Sequence, residues 1–135
     1  MLNKLLAKEK GLVFLSAPTN CGKTTIIKEI VQRKEKAIAI SSEQLTDAIL
    51  QKLQEDKTEL LTDYAQHPCI CVEDLDWYKG RENTQNEFAA VLSKFAESAL
   101  VIVTGVDLKN RLARMFSGLN QYTYFEKKDA NSDWL

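Results

Sequence analysis

The sequence predicts an α/β fold, a three-layer sandwich in which a mostly parallel five-stranded sheet carries helices on both faces. Three observations lead there. Five short apolar runs alternate with helix-patterned segments along a 135-residue chain, and such alternation calls for parallel strands joined by right-handed helical crossovers. A glycine-lysine-threonine turn lies between the first apolar run and the first long helical pattern. The third run ends in two adjacent carboxylates, Glu73 and Asp74.

Taken in order, residues 2–10 place Leu2, Leu5 and Leu6 on one face of a short helix. Leu12, Val13, Phe14 and Leu15 form a continuous apolar run, the pattern of a strand buried on both faces. A helix over 24–32 carries Ile26, Ile27, Ile30 and Val31 at near-helical spacing, and Arg33-Lys34-Glu35-Lys36 closes it with charge that complements the helix dipole. The second strand is expected over 37–40. The segment from Gln44 to Tyr64 carries Leu45, Ala48, Ile49, Leu53, Leu60, Leu61 and Tyr64, the pattern of two amphipathic helices or of one broken near Asp56-Lys57. Pro68 opens the third strand, an allowed position for proline. From Thr84 to Ala96 a helix presents Phe88, Val91, Leu92 and Phe95 on one face, with Thr84 and Glu87 spaced as a capping box. The fourth strand is expected at Val101-Ile102-Val103 and the fifth over 122–125. The polar segment 127–135 is expected to fray.

The chemistry concentrates in two places. A strand, a tight turn and a helix N-terminus direct backbone N–H groups and the positive end of the helix dipole at phosphate. The turn and its flank, Ala17, Pro18, Thr19, Asn20, Cys21, Gly22, Lys23, Thr24 and Thr25, form the predicted nucleotide-binding set, with Lys23 on the β- and γ-phosphates and the Thr24 hydroxyl on magnesium. Ala17 stands where the pattern has glycine and is tolerated if its φ is negative, while Pro18 and Asn20 suit a turn. The second place is the end of Cys69-Ile70-Cys71-Val72-Glu73-Asp74. Functional carboxylates of open α/β sheets cluster at strand ends, so Glu73 is the candidate metal ligand and Asp74 the candidate for orienting an attacking water. The plainer alternative for Glu73 and Asp74 is a solvated acidic turn extended by Asp76.

The order of these pieces resembles one family. The run from Val72 to Phe88, beginning Val72-Glu73-Asp74-Leu75-Asp76-Trp77-Tyr78-Lys79-Gly80-Arg81, is similar to the Walker B region and following helix of the DnaA replication initiators among the AAA+ proteins. Residues 37–40 with Ser41-Ser42-Glu43 resemble that family's second strand and next helix start. Val101-Ile102-Val103-Thr104-Gly105 resembles its fourth strand, with an ending closer to the Hda-like paralogues. Arg111-Leu112-Ala113-Arg114-Met115-Phe116 resembles the segment bearing the arginine finger. The resemblance covers residues 11 to 125. It implies a P-loop NTPase of AAA+ base type binding ATP or ADP with Mg2+, and a catalytic arginine, Arg111 or Arg114, that reaches a neighbouring subunit's nucleotide.

The departures from the family shape the expectation. The chain begins almost at the phosphate loop, leaving little room for the segment that helps hold adenine. It stops after the fifth strand pattern, without the helical lid, its second-sensor arginine, or the helix-turn-helix domain for duplex DNA. Glu73 is a longer carboxylate where the family places aspartate. The first-sensor residue falls on Val106 or Asp107, and the finger position on Arg114 or Met115.

Composition narrows the partners. A length of 135 residues fits one domain, a 44% hydrophobic fraction supports an ordinary core, and a net charge of −1 gives no general attraction to nucleic acid. No apolar stretch approaches the roughly 20 residues of a membrane span, and a cytosolic location is expected. The family's segment matching 44–64 touches single-stranded DNA, but residues 43 to 63 here hold six acids, Glu43, Asp47, Glu55, Asp56, Glu59 and Asp63, against Lys52 and Lys57, so DNA binding should be weak or absent. Trp77 and Tyr78 are either a partner contact or packing. The three cysteines fit buried thiols better than a metal site built on His67, Cys69 and Cys71. Three functions follow. The first is an ATP-binding regulator or assistant of replication initiation, with hydrolysis weak or dependent on self-assembly. The second is a non-catalytic module that binds a replication protein. The third is a phosphotransferase or helicase fragment, since Ala17-Pro18-Thr19 before Gly22-Lys23-Thr24 also resembles the first motif of superfamily 2 helicases.

Overall fold

The apolar run at the start of the chain forms β1 (Gly11–Ser16), whose residues from Leu12 onward are all buried. A computed structural model describes residues 1–52, 64, 66–75, 82–110 and 122–134. Around β1 the elements follow as α1 (Leu2–Ala7), α2 (Lys23–Arg33), β2 (Ile38–Ser41), α3 (Ser42–Lys52), β3 (Cys69–Glu73), α4 (Glu82–Ala96), β4 (Leu100–Gly105) and β5 (Thr123–Glu126). The strands lie in the order β2-β3-β4-β1-β5, and every pairing is parallel.

Alternation along the strands divides the core in two, because successive side chains leave opposite faces of a sheet. Leu12 and Phe14 of β1, Ile70 and Val72 of β3, and Val101 and Val103 of β4 pack under Leu45 and Ile49 of α3 and Phe88, Leu92 and Phe95 of α4. Their neighbours Val13, Leu15, Cys69, Cys71, Leu100 and Ile102 turn to the other face, against Leu5 of α1 and Ile27 and Ile30 of α2. This is the predicted three-layer sandwich. Each fully buried side chain of this size is worth about 1.5–3 kcal/mol.

Three local details differ from expectation. α4 begins at Glu82, so Thr84 lies inside the first turn rather than at its cap. A capping box forms on α3, where the Gln44 backbone N–H donates to Ser41 Oγ at 3.1 Å and Gln44 Oε1 accepts from the Ser41 N–H at 3.2 Å. The basic end of α2 serves a different helix: Lys34 Nζ donates to the carbonyls of Leu6 at 3.1 Å and Lys8 at 2.9 Å, satisfying the last carbonyls of α1. The polar tail also has order. Asp129 accepts from the Asn131 N–H at 2.9 Å and the Ser132 hydroxyl at 2.8 Å, and Trp134 packs on the α1–α2 side of the core. Residues 53–63, Asp76, Trp77 and Tyr78 lie outside the described residues.

Candidate functional site

All five strands point the same way, so the loops that leave their C-terminal ends share one edge of the sheet. Residues 17–22 leave β1 there, Ser42 follows β2, Asp74 follows β3, and residues 106–108 follow β4.

The predicted phosphate loop is built onto the sheet. The Ala17 N–H donates to the Gly105 carbonyl at 3.1 Å, extending the β1–β4 ladder by one step, and Ala17 is buried at 2% exposure. Ala17 does not take a positive φ, so a glycine's freedom is not required at that position. The turn obtains its reversal from Asn20, at φ 63°, and from Gly22, at φ 92°. Gly22 is the N-cap of α2, a left-handed position where a side chain would be strained. Cys21 tucks inward at 8% exposure, whereas Pro18, Thr19 and Asn20 face solvent. At the start of α2, Thr24 and Thr25 are exposed and Lys23 is half-buried. Lys23 Nζ donates to the carbonyls of Ala17 and Pro18, which lays its ammonium along the loop it is predicted to serve.

Across β4 from the loop, β3 delivers the two carboxylates. Glu73 ends the strand, paired in register with Ser41, and is half-buried. Burial, and then the neighbouring Asp74, push the Glu73 carboxyl above the usual range, while Lys28 of α2 opposes them. A carboxylate in that state is stabilised by a nearby cation. Asp74 is exposed and takes φ 63°, a left-handed conformation costing a non-glycine residue about 1 kcal/mol. Its N–H points at Thr104 Oγ1, 3.4 Å away, and its carbonyl accepts from Ser42 Oγ.

The turn after β4 is equally constrained. Asp107 sits at φ 53° and its carboxylate accepts from the Asn110 amide at 3.0 Å to each oxygen. The Leu108 N–H donates to Ser16 Oγ at 3.0 Å, and a methyl group at Gly105 would meet Leu108 Cδ2 at 2.6 Å. Of the two first-sensor candidates, Asp107 is exposed and Val106 half-buried. Arg111 and Arg114, with Met115, lie outside the described residues. Sequence reasoning missed Ser42 and Thr104. Their signal was a buried hydroxyl at the end of an otherwise apolar strand or at the first position of a helix. The three cysteines are buried and unpaired, and His67 Nδ1 donates to the Lys36 carbonyl at 3.1 Å, at the opposite edge of the sheet. A hydrogen bond with Cys69, and then burial, push the Cys71 thiol up.

Comparison with known proteins agrees with this fold. The family model for the bacterial DnaA ATPase domain matches residues 2–121. A chromosomal replication initiator protein DnaA from Microcystis aeruginosa is 26% identical over 129 residues, covering 84% of this chain and 29% of that protein. Among solved structures, a replication initiator DnaA bound to AMPPCP and single-stranded DNA superposes with a TM-score of 0.70 at 18% identity, covering 97% of this chain and 44% of that one. The DnaC helicase loader superposes with a TM-score of 0.57 at 14% identity, covering 91% of this chain and 85% of that one. The chain thus spans less than half the length of these two DnaA proteins.

Proposed function

This chain belongs to the bacterial DnaA ATPase domain family, and from that premise we propose that it binds ATP and ADP with Mg2+ and regulates or assists replication initiation, with hydrolysis that is weak or depends on assembly. The observation that carries the reading is the meeting, at one sheet edge, of the Gly22-capped phosphate loop with the Glu73-Asp74 pair. On this reading the N-terminal amides of α2 and the Lys23 ammonium hold the phosphates, and Thr24 and Glu73 hold magnesium. When bound, Mg2+ neutralises charge on the phosphate oxygens. Asp74 orients the attacking water, and Arg111 or Arg114 from a neighbouring copy stabilises charge that develops on the transferred phosphate. The Lys23 ammonium would exchange the Ala17 and Pro18 carbonyls for phosphate oxygens, which are stronger acceptors.

A second reading rests on the substitution at the metal position. Glu73 is longer than aspartate and half-buried, so a chain that holds the fold but no metal would act as a binding module for a replication protein. The likeness to a helicase loader fits either reading. Single-stranded DNA should bind weakly, since Glu43 and Asp47 of α3 are exposed. Calorimetry with magnesium-ATP and magnesium-ADP on the chain and on Lys23→Ala separates the two. Binding lost in the variant supports the nucleotide reading, and no binding at millimolar nucleotide would replace it with the module.

A further inference from the structure

Four buried polar side chains, Ser16, Ser42, Thr46 and Thr104, are found among the described residues, and all lie near the edge that carries the phosphate loop. Buried hydroxyls need partners, and three of these are joined through backbone in one series. Thr46 Oγ1 donates to the Ser42 carbonyl at 2.7 Å, Ser42 Oγ donates to the Asp74 carbonyl, and the Asp74 N–H points at Thr104 Oγ1 from 3.4 Å. The sheet places them there. Ser41 pairs with Glu73 across β2 and β3, and Val72 with Val103 across β3 and β4. One step further along, Ser42 comes opposite Asp74 on the β2 side and Thr104 opposite Glu73 on the β4 side, so the two hydroxyls flank the Asp74 backbone from opposite directions.

We infer that Ser42 and Thr104 are positioning residues for Asp74, holding its backbone from both peptide groups so that the carboxylate faces the phosphate site. Asp74 stands in a left-handed conformation that a non-glycine residue leaves unless its surroundings hold it. Thr104 engages the peptide before it and Ser42 the peptide after it, so both φ and ψ are set and only the side-chain torsions remain. The Ser42 tether also makes the start of α3 part of the same assembly. A displacement of α3 by a bound partner would then be felt at Asp74 before it reached the phosphate loop. This inference rests on the proposed ATPase reading and assigns no contact with substrate to either hydroxyl.

The test is steady-state ATP hydrolysis over a range of protein concentrations, with calorimetric ATP affinity beside it. The variants are Thr104→Val, Thr104→Ser and Ser42→Ala, each alone and combined with Asp74→Asn. Thr104→Val and Ser42→Ala should lower kcat about tenfold or more, because small misplacements of a catalytic group are costly, and should leave ATP affinity within about twofold. Thr104→Ser should restore the rate. In the Asp74→Asn background neither change should cost anything further, since residues acting through one group are not additive. An undiminished loss in that background, or weakened affinity with kcat unchanged, would overturn the inference and assign both hydroxyls to folding alone. A wild-type chain that binds ATP but never turns it over would overturn it as well while leaving nucleotide binding intact. Absence of ATP binding would remove the parent reading instead.

Discussion

At the edge where the strands end, the backbone is held in unusual conformations. Asn20, Asp74 and Asp107 all have positive φ there, and Ser16, Ser42 and Thr104 are buried with their hydroxyls on backbone groups. At the edge where the strands begin, the single non-glycine residue of this kind among the described residues is Lys36, and the bonds close one element onto the next. Gly11 N–H donates to the Ala99 carbonyl at 3.1 Å, Leu100 N–H to the Pro68 carbonyl at 2.9 Å, and Lys34 ties α2 to α1. Strain gathers where geometry has to be specified, and ordinary hydrogen bonds suffice where only cohesion is needed. The contrast teaches that substitutions at the two edges should separate function from stability.

The largest expected effect is at the strand ends. Lys23→Ala should weaken ATP binding by about 100-fold, close to 2.7 kcal/mol, with the melting temperature little changed; calorimetry and thermal unfolding together check it. At the opposite edge Lys34→Ala should do the reverse. Losing a charged donor to two α1 carbonyls should cost about 1–3 kcal/mol in denaturant unfolding while ATP affinity stays the same. If Lys34→Ala lowered affinity, the division between the edges would fail.

Smaller effects sharpen the comparison. Asp74→Ala should be less stable than Asp74→Gly by about 1 kcal/mol, because alanine dislikes the left-handed conformation and glycine accepts it. Equal urea midpoints would show that the position is unstrained. The smallest effect is pH-dependent. The Glu73 carboxyl is raised by burial and by Asp74, so the native state keeps its proton to higher pH than the unfolded chain does. That contribution is fully present below the unfolded value and is lost as pH rises through the folded one. Glu73→Gln should therefore melt slightly higher than wild type at neutral pH, with the gap closing in acid. Thermal scans from acid to neutral pH, without nucleotide, test this.

Much of the fold was legible because apolar runs report burial directly. Leu12 to Leu15, Ile27 with Ile30, and Phe88 with Leu92 and Phe95 needed no partner to be identified. The turn between β1 and α2 was legible because its residues are contiguous. What could not be seen depends on register between strands far apart in sequence: Ser42 reaching Asp74, Thr104 beneath it, and Leu108 on Ser16. Lys34 suited the dipole of its own helix, yet the carbonyls of α1 lie within reach of the ammonium, a fact of packing rather than of pattern. Trp134 was obscured by its polar neighbours.

The strand order also governs how the chain can reach its native state. β1 is made early, yet it lies between β4 and β5, the last of the described strands, with Gly11 beside Leu100 and Val13 beside Thr123. Until those arrive, Leu12 to Leu15 form an apolar segment with both hydrogen-bonding edges open. Nonlocal pairing of this kind slows folding and exposes the nascent chain to aggregation. Synthesis must therefore run nearly to β5 before the predicted phosphate loop has a sheet to stand on, and the interval before that is when chaperones would matter most to this protein.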